Sequence, residues 1–129
     1  MPHPSEKPDP YLVRIANEVV AHVRRSMPAE LRQLAEAVPV IFESYPSEDV
    51  IAEGFEPDIL GLFVGEPVNS EGHSHNPLPA AILLYLASIW DYADGNMAAF
   101  RKEVRLTYLH ELGHYLGWDE EQVAAHGLE

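Results

Sequence analysis

Two histidines and a glutamate stand at His110, Glu111 and His114, inside the run Leu109-His-Glu-Leu-Gly-His-Tyr-Leu-Gly-Trp-Asp-Glu120. On an α-helix, residues four apart lie about 40° apart around the axis and one turn apart along it. His110 and His114 would then share a face and could hold one metal ion jointly. Glu111 falls about 60° from His114, an angle from which a carboxylate reaches a water on the metal rather than the metal itself. Tyr108, Leu112 and Leu116 lie roughly opposite the histidines, flanked by Val104 and Leu109. That side can bury while the histidines face a cleft.

Gly117 comes three residues after His114, where a left-handed glycine would end the helix and turn the chain sharply. The turn could bring Glu120, ten residues after His110, back to the metal as a third ligand, with Asp119 as the alternative and His126 as a further candidate. Gly113, inside the helix, costs about 1 kcal/mol relative to alanine, which suggests a close backbone neighbour. Chance supplies HExxH in about 4% of shuffled chains of this composition, so the context has to decide. Requiring Gly117 and an acid at position 120 lowers that to about 1 in 2,000.

The elements that would position this motif are readable by period and punctuation. Four prolines in the first ten residues make 1–9 an extended or disordered tail, with the domain proper over 10–129. Asp9-Pro10 is a helix start, and Leu12, Ile15, Ala16, Val19, Val23 and Met27 follow at helical spacing over 10–27. Pro28 starts a shorter helix carrying Leu31, Leu34, Ala35 and Val38. Strands are predicted over 38–42, 59–64 and 80–86, with a short helix opened by Ser47 and closed by Gly54 between the first two. Residues 65–79 form the longest loop, a length often functional in a small domain. A helical turn is expected near Ser88, Asn96 can cap a long helix running to Leu116, and Asp119 can cap a short last one. The pattern is an α+β single domain, a small sheet packed with helices.

Composition narrows the chemistry. The 129 residues are 47% hydrophobic and 22% charged, which suits one globular domain with a core of its own. Cysteine is absent, which excludes disulfides, a thiolate nucleophile and Cys-based zinc fingers and leaves His, Asp and Glu as metal ligands. Eight basic against 21 acidic side chains give a net charge of −13, which argues against nucleic acid or anionic lipid as partner. No run approaches 18 apolar residues and the start has no apolar targeting core, so the expectation is a cytoplasmic protein with no membrane span. No Walker loop, GxGxxG or GxSxG occurs.

Three stretches, 38–49, Leu60-Gly-Leu-Phe63 and 108–120, resemble the small bacterial zincin-like metallopeptidases, minimal zincins carrying HExxHxxGxx(D/E/H). The likeness covers roughly residues 10–125. It implies a small mixed sheet packed with helices and a metal site on the motif helix. It further implies zinc held by His110, His114 and the acid at position 120, with Glu111 as general base. No methionine follows His114, so the Met-turn of metzincins is absent.

The reaction expected is zinc-dependent hydrolysis, a metal-activated water attacking a peptide bond while Glu111 takes and returns the proton. A peptide or protein would be the substrate, pairing with an edge strand beside the motif helix. The alternative is a metal-stabilised module of the same fold that binds peptides or a partner protein without cleaving them. Glu111 favours the enzyme, because a structural site fills all four positions with protein ligands and needs no base. Other residues read more simply. His73 and His75 fall in the long loop and read as solvated, Tyr108 and Tyr115 as core, Glu103 as an exposed acid and His22 as structural or exposed. Trp118 is expected to pack against the glycine turn.

Overall fold

Asp9 opens the first helix by accepting hydrogen bonds from the Tyr11 and Leu12 main-chain N–H groups, with Pro10 at the first helical position. The resulting α1, Pro10–Arg25, is the first element of a computed structural model that describes residues 7–67 and 79–125, and of Glu120, Val123 and Ala124 only the main chain. Then follow α2 (Ala29–Glu36), β1 (Val40–Glu43), α3 (Glu48–Ala52), β2 (Gly61–Val64), β3 (Ala81–Tyr85), α4 (Leu86–Tyr92), α5 (Met97–Leu116) and α6 (Glu120–Ala125). The α+β reading holds, and the expected elements are present with ends shifted by no more than three residues. Residues 1–6 of the expected tail, His73 and His75 with most of their loop, and His126 lie outside the described residues.

Polar side chains set the starts of α3 and α5. Ser47 accepts from Val50 N–H at 3.3 Å, and Asn96 accepts from Ala99 N–H at 2.9 Å. Each satisfies a main-chain donor that the first helical turn leaves over. The buried stripe of α1 is Leu12, Ile15, Ala16, Val20 and Val23, so Val20 rather than the expected Val19 faces the core and Val19 is half-buried at its margin.

The sheet order is β1-β3-β2. β3 is central, parallel to β1 through Val40↔Ile82 and Phe42↔Leu84 and antiparallel to β2 through Gly61↔Leu84 and Phe63↔Ile82. Its uninterrupted apolar run suits a strand flanked on both sides. One face of the sheet meets α5, whose Val104, Tyr108 and Leu112 pack with Ile82 and Leu84 and with the α1 stripe. Arg24 ties three helices together. Its Nε donates to the Tyr108 hydroxyl at 3.0 Å, and its Nη2 donates to the Ala35 and Val38 carbonyls at 3.3 and 3.2 Å. No helix among the described residues is long and apolar enough to cross a membrane.

Candidate metal and catalytic site

α5 presents His110 and His114 on its exposed side, one turn apart, while Tyr108, Leu109, Leu112, Tyr115 and Leu116 are buried. Both tyrosines are therefore core residues, as the sequence suggests; Tyr115 packs on Phe63 at 5.9 Å between ring centroids. The two imidazoles meet edge to face, with their Nε2 atoms 3.2 Å apart. Two nitrogens bound at 2.0–2.1 Å on one tetrahedral ion stand about 3.3 Å apart, so the pair is spaced as zinc requires. Among the described residues, His110, Glu111 and His114 form a group whose candidate ligand atoms all lie within 4.8 Å of one another. The donor set fits the ion.

Glu111 is buried, unlike the two histidines beside it. Burial pushes its carboxyl above the usual range, against the opposing pull of His110, His114 and a hydrogen bond from the Phe63 main-chain N–H. That bond follows from the strand pairing. Tyr85 N–H donates to Leu60 C=O at 2.9 Å, so Leu60, Leu62 and Val64 turn their main-chain groups toward β3. In an antiparallel ladder the alternate residues, Gly61 and Phe63, turn theirs to the open edge. Glu111 thus sits where the motif helix crosses the edge of β2 that no other described strand covers.

Gly61 permits that crossing. A Cβ there would lie 2.6 Å from Thr107 Cγ2, 3.1 Å from the Leu83 carbonyl and 3.3 Å from Glu111 Cγ. The role of Gly61 and of the Phe63 N–H is missing from a motif-based reading. A glycine inside a strand pattern is the one sequence signal that marks a close backbone approach.

Beyond His114 the chain turns as expected. Gly117 has φ +73°, Trp118 N–H donates to Gly113 C=O at 2.8 Å and Gly117 N–H to His114 C=O at 3.1 Å, a Schellman closure. Trp118 is half-buried against the core. Asp119 caps α6, accepting from Gln122 N–H at 2.8 Å while its own N–H donates to Gln122 Oε1 at 2.9 Å. The cap uses Asp119 Oδ1, and Asp119 is not part of the three-residue cluster. Glu120 is the first residue of α6. His22 is exposed on α1, and Glu103 is half-buried on α5 rather than fully exposed.

The zincin-like metallopeptidase family model matches residues 35–128. That span takes in the sheet, the motif helix and the turn beyond it. A search of curated proteins gives no match to this chain.

Proposed function

The chain belongs to the zincin-like metallopeptidase family, and from that premise we propose that it is a zinc-dependent peptidase acting on peptide or protein substrates in the cytoplasm. The observation that carries this reading is the pair of Nε2 atoms 3.2 Å apart beside a buried carboxylate. In this reading His110 and His114 hold the metal with Glu120 as third ligand; Asp119, which caps α6 through its Oδ1, is the alternative. Bound zinc supplies Lewis acidity toward water and toward the scissile carbonyl.

The remaining chemistry belongs to side chains and strand. Glu111 accepts a proton from the attacking water as the water oxygen bonds to the carbonyl carbon, then delivers it to the departing amide nitrogen as the C–N bond breaks. Its burial favours this use, because a carboxylate with a raised proton affinity takes the proton more readily than one in bulk water. The free edge of β2 offers the Gly61 and Phe63 main-chain groups to an extended peptide, a sequence-tolerant way of holding substrate. A peptide carbonyl arriving at Phe63 N–H takes the donor that Glu111 now uses and leaves the carboxylate for water.

Elemental mass spectrometry on the untagged protein tests the metal, and a peptide-library digest tests the chemistry. The expected result is about one zinc per chain, lost in His110→Ala, with cleavage that falls about 100-fold or more in Glu111→Gln while zinc is retained. Absence of metal after zinc addition at neutral pH overturns the reading. Full zinc without cleavage of any library peptide converts it to the non-hydrolytic binding module.

A further inference from the structure

Positive charge is scarce in this chain and unevenly placed. Along α1, Arg14, Glu18, His22 and Arg25 follow one another at helical spacing and are all exposed. Facing them across the helix pair are Arg101 and Lys102, both exposed, and Arg105, half-buried. Five of the eight cations thus share one surface on which, among the described residues of the groove lining, Glu18 is the one carboxylate, paired with Arg101 at 3.7 Å. Among the other described side chains three cations stand against sixteen carboxylates. Within this surface lies a groove of about 420 Å³ between α1 and α5, with Val19 and Val23 in its lining and Arg101, Lys102 and Arg105 along one side.

The complementary surface is on the same molecule. Every residue from Ile51 to Asp58 is exposed, as are Glu48 and Asp49 of α3. This short stretch carries five carboxylates, Glu48, Asp49, Glu53, Glu56 and Asp58, and no cation. It also exposes two large apolar side chains, Ile51 at 38% and Phe55 at 40%. Acid with exposed apolar residues on one segment matches cations around an apolar floor on the other.

We propose that the α1–α5 groove is the docking site for residues 48–58 of a second copy of this chain. Ile51 and Phe55 enter over Val19 and Val23, and the carboxylates meet the arginines and lysine of α5. The two surfaces differ, so the contact is head-to-tail, with each copy offering a free groove at one end and a free acidic segment at the other. Arg101 and His110 are nine residues apart, which puts them on opposite sides of α5. Assembly therefore leaves the histidine face open. Because charge dominates the match, association weakens steeply with salt.

Sedimentation velocity on the full chain tests this. Wild type associates with rising concentration at about 50 mM salt, and its association weakens at least tenfold at about 500 mM. Arg101→Gln with Lys102→Gln removes the groove's charge, and Glu53→Gln with Glu56→Gln removes the segment's. All four positions are exposed, so folding survives, which circular dichroism verifies. Each double variant alone is monomeric, and an equimolar mixture forms 1:1 dimers that grow no further, since one intact groove meets one intact segment. A wild type that stays monomeric at low salt overturns the proposal. So do variants that associate as well as wild type, or a mixture that remains monomeric. A monomeric wild type whose groove binds a poly-glutamate peptide also overturns it and assigns the groove to a different acidic protein.

Discussion

Gly61 on β2 and Thr107 on α5 touch so closely that the Cβ glycine lacks would stand 2.6 Å from the threonine Cγ2. This contact sets how near the motif helix comes to the strand edge, and it lies one helical turn before Glu111. The carboxylate can reach the Phe63 N–H only because strand and helix meet without a side chain between them. The histidine face is thus positioned by a contact that neither histidine makes.

Gly61→Ala is expected to destabilise the protein by about 1–3 kcal/mol, the usual cost of forcing a methyl group into a packed contact. Thr107→Ser removes the methyl that the new Cβ would strike and keeps the hydroxyl. The double variant should recover at least half of the loss in urea unfolding. Additive losses would show that the Leu83 carbonyl, 3.1 Å away, is the harder obstacle.

Gly117 takes φ +73° with nothing within 4 Å of where its Cβ would be. A substitution there meets no steric neighbour and reports the backbone cost alone. Gly117→Ala should cost about 1 kcal/mol, the left-handed penalty of a residue with a Cβ. Gly117→Asn should cost less, because asparagine tolerates that region. Thermal or urea denaturation of the pair checks the order, and equal losses would locate the cost outside the turn.

Local signals made most of this legible. The start of α5 is written in Asn96, its end in Gly117, and its histidine face in the spacing of His110 and His114; each acts within one or two turns of itself. Adjacent valines at 19 and 20 could not be ranked, because a 3.6-residue period lets either lean toward the core until α5 packs against α1. The Gly61–Thr107 approach and the Phe63–Glu111 bond join a strand to a helix more than forty residues later, and half of the second bond is main chain, which no motif encodes. Asp119 as third ligand was plausible by spacing alone. The structure shows one of its carboxylate oxygens, Oδ1, in the cap that the same residue also predicted.

Arg24 is the largest such omission. Its guanidinium bonds Tyr108, 84 residues away, and two carbonyls at the end of α2. A lysine has neither the planar fork nor the donor directions to serve all three. Arg24→Lys should lower stability by about 1–3 kcal/mol, and Tyr108→Phe by about 0.5–1.5 kcal/mol. The two share a bond, so the double variant should lose less than the sum. A fully additive pair in denaturant titrations would mean the Tyr108 hydroxyl carries no coupling to Arg24.

Tyr85 closes β3 fully buried, and its hydroxyl has no hydrogen-bond partner among the described residues. Tyr85→Phe deletes that unpaired group without opening a cavity and should raise stability near neutral pH by about 1 kcal/mol. The same variant should change the alkaline limb. Burial first, then the charges of Glu43 and Glu111, push the Tyr85 phenol up to about 12, against 10.0 for a free tyrosine. Between those values the unfolded chain gives up a proton that the folded chain keeps. Stability is therefore intact below pH 10 and falls as the pH climbs toward 12. Tyr45 adds to the same fall, its phenol raised to about 12 chiefly by its hydrogen bond to Asp91. In urea titrations across that window Tyr85→Phe should make the decline shallower, and Tyr85→Phe with Tyr45→Phe should make it shallower still. A slope equal to that of wild type in Tyr85→Phe would mean that the buried phenol ionises no later in the folded protein than in the unfolded chain.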